Sequence, residues 1–322
     1  MLLAPIFLMG ATACGKTELS LSIAKTLDAE IISVDSALVY RGLDIGTAKP
    51  TSTERASVPH HLIDVCDPWD AYSVAKFSQD ACQLINEIQV RGKRPLLVGG
   101  TMLYFKALAD GLAILPEADL AMRQSMLEEA ASRGWQALHD ELAVVDPMAA
   151  QRIHPNDPQR IQRALEVYRL TGSPMSVLQR ETRSPLTQAP IKFALAPYDR
   201  SWLHERIERR FKIMIDAGFL NEVRSLQLDS RIHTDLPAMR SVGYRQALEF
   251  LLARNATSDS IDNELGWVDR AIAATRQLAK RQLTWMRSMD DVHIIACDSL
   301  DVEEQHSTLC ATLIKKENAK HE

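Results

Sequence analysis

The chain has 322 residues, a formal charge of −5 at pH 7 and 46% hydrophobic residues, an ordinary globular profile with room for roughly two domains. Its 13 Gly and 14 Pro fall below the roughly 12% Gly plus Pro of an average chain, which excludes a turn-dense β-sandwich and a disordered polymer. As a bulk figure the negative charge argues against a nucleic-acid partner, because phosphate binding needs concentrated Lys and Arg. The cysteines Cys14, Cys66, Cys82, Cys297 and Cys310 form no C-x-x-C pair for zinc or redox work, and this usage fits a reducing cytoplasm.

The apolar opening, Met1 to Met9, lacks the basic region and cleavage site of a signal peptide. It is also far short of the ~20 residues of a membrane span. It predicts a buried strand and no membrane partner. Further short apolar runs predict strands near 29–34, 61–65, 95–99, 191–196 and 292–296, separated by helical patterns. Strands alternating with helices imply a parallel sheet covered on both faces, an α/β fold of the P-loop NTPase type. Between Gly99 and Ile191 no strand pattern occurs, which predicts an inserted all-helical subdomain over 116–187 within a core of 1–115 and 188–322. Residues 201–287 are again helical, a last strand and a terminal helix follow, and 315–322 are expected to fray.

Gly10-Ala11-Thr12-Ala13-Cys14-Gly15-Lys16-Thr17 fits G-x-x-x-x-G-K-[ST] between an apolar strand and a helical segment. Such a loop turns backbone N–H groups and a helix N-terminus toward a phosphate, Lys16 neutralises charge, and the Thr17 hydroxyl can reach Mg2+. The motif does not distinguish a nucleotide such as ATP from another diphosphate. In doubly wound sheets ligands bind outside the carboxyl ends of the strands. Asp35-Ser36, at the end of the second strand, and Gly99-Gly100-Thr101, at the end of the fourth, therefore belong beside this loop. A carboxylate there orients or deprotonates an attacking hydroxyl, as in small-molecule kinases, or accepts a proton from an amine. His60-His61 has no ligand partner at metal spacing, and neighbours on a strand face opposite ways, so packing or hydrogen bonding is expected. The five tryptophans are spread along the chain and read as core anchors, with stacking on a base open to one of them.

Taken together, the loop, Ile32-Ser33-Val34-Asp35-Ser36, Tyr40-Arg41-Gly42-Leu43-Asp44-Ile45-Gly46-Thr47-Ala48-Lys49-Pro50, Pro59-His60-His61-Leu62-Ile63-Asp64, Gly99-Gly100-Thr101 with Tyr104, and Val242-Gly243-Tyr244-Arg245-Gln246 resemble the bacterial tRNA dimethylallyltransferases, also called tRNA isopentenyltransferases. The resemblance runs from residue 1 to about 290. It implies transfer of a dimethylallyl group from dimethylallyl diphosphate to N6 of adenosine 37 in tRNAs that read codons beginning with U, by a monomer that uses Mg2+. It makes Asp35, Thr101, Lys16 and Thr17 catalytic and gives Gly10 to Thr17 the diphosphate. It also implies that the anticodon stem-loop meets Asp35, Ser36, Ala37, Leu38, Thr101 and Arg123. Further tRNA contacts carried over are Gln159, Arg160, Ile161, Gln162, Arg163, Arg240, Ser241, Val242, Gly243, Tyr244, Arg245, Arg276, Gln277 and Lys280. The family turns the adenosine out of the loop stack, with the insert and the long helix after residue 260 as the expected clamp. Ala11, Cys14 and Leu38 depart from residues common in the family, Pro, Ser and Gln. The first two leave the backbone cradle intact, and Leu38 removes one amide contact to adenine.

The charge is segregated. Residues 152–169, 200–212 and 269–287 together carry +9, and the remainder carries −14. Local patches are what an RNA meets, so the bulk figure does not exclude one. Three rivals remain: a small-molecule P-loop kinase, a prenyltransferase of free adenine nucleotides, and a non-enzymatic RNA-binding module. The first two leave the basic helices without a purpose.

Overall fold

The opening apolar run becomes β1 (Ile6–Gly10), buried along its whole length. The computed structural model describes residues 3–180, 182–256 and 264–318; of the tail expected to fray, 319–322 lie outside these, as do Met1 and Leu2. After β1 come α1 (Lys16–Thr26), β2 (Ala29–Val34), α2 (Ser52–Ser57), β3 (His60–His61), α3 (Val74–Val90), β4 (Arg94–Gly99) and α4 (Met102–Asp110). The insert carries α5 (Leu120–Val145), α6 (Pro147–Arg152), α7 (Pro158–Thr171) and α8 (Met175–Leu178). The chain closes with β5 (Ile191–Ala196), α9 (Arg200–Asp216), α10 (Phe219–Gln227), α11 (Tyr244–Ala256), α12 (Glu264–Arg287), β6 (Val292–Ala296) and α13 (Val302–Asn318).

Two compact units result, Met1–Ala109 with Leu186–Glu322, and Asp110–Pro185, the latter against the 116–187 expected from the strand gap. Its ends meet where Gly111 packs on the Arg183 backbone, so closely that a Cβ there would lie 2.0 Å from the Arg183 carbonyl oxygen.

In the larger unit all six strands are parallel in the order β3-β2-β4-β1-β5-β6, which puts β1 inside the sheet and explains its unbroken apolar sequence. Helix α3 shows how the faces are covered. It buries Phe77, Ala81, Ile85 and Ile88 along one stripe, and the Ser73 hydroxyl accepts the Lys76 N–H at its start. The strand expected over 61–65 shrinks to His60–His61, because Leu62 and Asp64 take left-handed φ values of 59° and 58° that leave the pleat. Those histidines hydrogen-bond as expected: His61 Nε2 lies 2.7 Å from Glu30, and His60 Nδ1 lies 2.7 Å from the Val58 carbonyl. A second cluster in this unit packs Val39, Tyr40 and Leu43 against Phe211, Phe219, Tyr244 and Trp267, so the stretch after β2 is built onto α9 to α12. No helix among the described residues is long and apolar enough to cross a membrane.

The smaller unit has its own core of Met126, Leu138, Leu142, Ile161 and Leu165. Asp119, Asp146 and Asp157 each accept the N–H three residues on, starting α5, α6 and α7. The Glu166 carboxylate, fully buried, accepts from Arg123, Arg163 and the Asp119 N–H. Burial pushes this carboxyl up, but the two guanidiniums and the N–H outweigh it and hold it below the ordinary value. Its contribution to stability is therefore complete above the unfolded-state value and is lost as pH falls through the lowered one. Glu166→Ala should cost about 2 kcal/mol at neutral pH in chemical denaturation. The gap from wild type should narrow in acid.

Candidate active site

The sheet register brings the candidate residues together. Met9 of β1 pairs with Gly99 of β4, and the same Gly99 pairs with Val34 of β2, so the three strands end level. Gly10 to Thr17, Asp35-Ser36 and Gly100-Thr101 thus emerge side by side. A Cβ on Gly99 would lie 2.0 Å from the Val34 carbonyl oxygen, so only glycine lets β4 approach β2 this closely. The turn is then tied by Thr101, whose N–H donates to Val34 at 3.2 Å and whose Oγ1 accepts the Ser36 N–H at 3.0 Å.

The Asp35 Oδ1 accepts the Ala37 and Leu38 N–H groups at 2.8 and 3.3 Å. Its second oxygen accepts none of the side-chain hydrogen bonds found among the described residues, and so is available to a substrate N–H. Lys16 starts α1, and its ammonium donates to the Gly10 and Ala11 carbonyls at 2.9 and 2.8 Å. Burial pushes that ammonium below its ordinary value, with Arg210 acting in the same direction and Cys14 and Asp35 opposing. A bound diphosphate offers a stronger partner than two carbonyls. Thr17 is exposed at the first turn of α1. Cys14 is buried in the loop, and its thiol is lowered chiefly by the neighbouring Cys297 thiol, just past β6.

Three residues arrive here from the helical part of the unit, where the sequence showed only basic segments. Arg206 Nε donates to the Ala13 carbonyl at 2.8 Å, and Arg210 donates to Thr47 at 3.0 Å. Burial lowers Arg210, and the Asp35 carboxylate opposes that lowering. Gln282 reaches Thr12 and Gly100. The basic segment over 200–212 was the one available signal for the two arginines; Gln282 had none.

Glu222 joins two of the quoted motifs. Its carboxylate accepts the N–H groups of Asp44, Ile45 and Gly46 and the Tyr244 hydroxyl. Burial first, and then this carboxylate, raises the Tyr244 phenol. A Cβ on Gly46 would lie 2.2 Å from Phe219 and 2.6 Å from Tyr244, so the ring fits only against glycine. Lys49 pairs with Asp44 and Asp64 and donates to the Tyr40 carbonyl, which closes the loop that begins at Asp35. Tyr244 is therefore a buried support.

The remaining candidates occupy varied positions. Gln159 and Arg160 are exposed at the start of α7, whereas Ile161 is buried, Gln162 donates to the Arg123 carbonyl, and Arg123 and Arg163 face Glu166. Ser241 and Val242 lie in the turn before α11, Gly243 takes φ +94°, Arg240 lies 3.6 Å from Asp235, and Arg245 pairs with Glu249. On α12, Gln277 and Lys280 are exposed and Arg276 pairs with Glu208. Among the tryptophans, Trp267 is buried, Trp202 and Trp69 lie beneath Arg206 and Arg231, and Trp285 is partly exposed.

The fold and the loop define a protein of the phosphate-loop α/β class. Within that class the chain belongs to the IPP transferase family, whose model matches residues 38–289, while a model described as isopentenyl transferase matches 5–65. A protein of Stenotrophomonas maltophilia (strain K279a) named tRNA dimethylallyltransferase is 56% identical over 288 residues, covering 88% of this chain and 89% of that one. The crystal structure of a full-length tRNA isopentenylpyrophosphate transferase from Bacillus halodurans is 36% identical, with a TM-score of 0.69 over 99% of this chain and 100% of that chain. Crystallographic snapshots of a eukaryotic dimethylallyltransferase acting on tRNA match at 25% identity, with a TM-score of 0.78 over 99% of this chain and 80% of that chain.

If Glu222 holds the loop after Asp35, Glu222→Ala should cost about 3 kcal/mol in urea unfolding by stranding three N–H groups and a phenol. Tyr244→Phe, which strands nothing but one carboxylate contact, should cost about 1 kcal/mol.

Proposed function

We propose that this chain transfers a dimethylallyl group from dimethylallyl diphosphate to N6 of adenosine 37 of tRNAs reading codons that begin with U, as a cytoplasmic monomer. The observation that carries the reading is the level ending of β1, β2 and β4, which sets a phosphate loop beside a carboxylate with one uncommitted oxygen. The loop N–H groups, Lys16 and the arginines of α9 take up the charge that develops on the departing diphosphate. As the carbon–oxygen bond breaks, the allylic carbon gains cation character, and the N6 lone pair forms the new carbon–nitrogen bond. The N6 proton passes to Asp35. Thr101 contacts the same nucleotide, beside Ser36.

The described residues hold no group of three or more His, Cys, Asp or Glu side chains suited to a metal ion. Magnesium binds with few protein ligands and several substrate phosphate oxygens, so Thr17 with the diphosphate suits it. When bound, it adds neutralisation of the leaving group. The exposed Gln159 and Arg160 on α7 of the smaller unit, and the exposed Gln277 and Lys280 on α12 of the larger with Arg276 on the same helix, are the side chains best suited to meet RNA.

Incubation with dimethylallyl diphosphate, Mg2+ and undermodified tRNA should add one C5 unit to an adenosine by mass spectrometry. No adduct, together with ATP-dependent phosphorylation of a small metabolite, would replace this reading with a kinase. Asp35→Asn keeps the Oδ1 acceptor but not the base, so turnover should fall about 100- to 10,000-fold with tRNA affinity unchanged. Arg276→Ala with Lys280→Ala should do the opposite: weaker tRNA binding and a flatter salt dependence, about two units less in the log–log slope.

A further inference from the structure

Gln282 makes two hydrogen bonds to two separate strand ends. Its Oε1 accepts the Thr12 N–H at 2.9 Å, and its Nε2 donates to the Gly100 carbonyl at 2.9 Å. The first partner belongs to the phosphate loop, the second to the turn that carries Thr101. Neither bond serves the helix itself. Helix α12 is held to the core on its other positions, by Ala279, Leu283 and Met286. Gly100 is shaped to this contact: a Cβ there would lie 2.4 Å from the Gln282 amide nitrogen, so glycine leaves the space that the amide fills. The same helix carries Arg276, Gln277 and Lys280 within two turns of Gln282.

We infer that Gln282 is a positioning residue for prenyl transfer. It fixes the distance between the Thr12 stretch, where diphosphate departs, and the Gly100-Thr101 turn, where the acceptor base arrives. This rests on the function proposed above. Only an amide does it: one oxygen accepts from one loop while one nitrogen donates to the other. Glutamate supplies only the acceptor, leucine neither, and asparagine is one methylene short of reaching both. Because the attacking nitrogen and the leaving oxygen sit on the two loops that Gln282 joins, loss of the bridge should appear in the chemical step. A misplacement of about 1 Å in such a pair costs on the order of 100-fold.

Steady-state transfer to tRNA tests this with wild type, Gln282→Leu, Gln282→Glu, Gly100→Ala and the Gly100→Ala/Gln282→Leu double variant. For Gln282→Leu, kcat measured well below the thermal midpoint should fall about 100-fold while tRNA Kd stays at its wild-type value; the midpoint itself drops modestly, because the Thr12 N–H and the Gly100 carbonyl lose their partner. Gln282→Glu should in addition raise KM for dimethylallyl diphosphate, since it sets a carboxylate against the loop. Gly100→Ala should push the amide aside and reproduce the Gln282→Leu loss, and the double variant should be no worse than either. A Gln282→Leu enzyme with wild-type kcat overturns the inference. So does a kcat loss that tracks a lowered folded fraction at the assay temperature, or losses that multiply in the double variant. A wild-type chain that adds no prenyl group to tRNA overturns the underlying reading and this role with it, and is told apart by the wild-type measurement alone.

Discussion

The site depends on the register of three neighbouring parallel strands. Because Met9, Gly99 and Val34 lie across from one another, the turns that follow them leave the sheet at one height. A slip of one residue would exchange the side chains of each strand between its two covered faces. β1 and β2 have no exposed residue, so a slip would unpack several fully buried side chains, each worth up to roughly 1.5–3 kcal/mol. Burial of apolar strands is what holds a polar site in position. The glycines at the end of β4 complete the arrangement by letting backbones and the Gln282 amide approach where a side chain would block them.

The motifs most specific to the family divide into two kinds by what they touch. Asp35, Thr101 and the phosphate loop face the site. The N–H groups of Asp44 to Gly46, the Lys49 ammonium and Tyr244 turn inward, onto Glu222, Asp64 and a ring cluster, and shape the stretch that follows Asp35. They restrict the backbone on which the carboxylate sits, so a change far from the reacting atoms is felt there. Arg123 and Arg163 show the same economy in the smaller unit. Their charge is spent on a fully buried Glu166, whereas Arg160 on the same helix is open to solvent.

Sequence pattern located what is local. The loop is contiguous, the strands are short apolar runs, and Asp35 and Thr101 directly follow strand ends, so alternation of strand and helix was enough to bring them together. β3 was overestimated because apolar Leu62 and Ile63 extend the run, while the left-handed backbone at Leu62 that ends it leaves no mark in composition. Glu222, Arg206, Arg210 and Gln282 were not legible as site residues. Each reaches its partner across a large sequence separation, 193 residues for Arg206 and 270 for Gln282, and each lies on a helix whose amphipathic pattern records only which face is buried. Net charge misled for a related reason: a whole-chain figure averages over faces that a bound RNA meets one at a time.

The claim that Asp35 takes the proton from the acceptor amine beside a diphosphate in the loop is tested most directly by a crystal structure of the complex. It would hold an anticodon stem-loop and an unreactive thiolo analogue of dimethylallyl diphosphate. The account requires the analogue's diphosphate on the N–H groups of Ala13, Gly15, Lys16 and Thr17, and the adenosine N6 within hydrogen-bond distance of Asp35 Oδ2. A diphosphate bound elsewhere, or an adenosine whose N6 points away from Asp35, would contradict it.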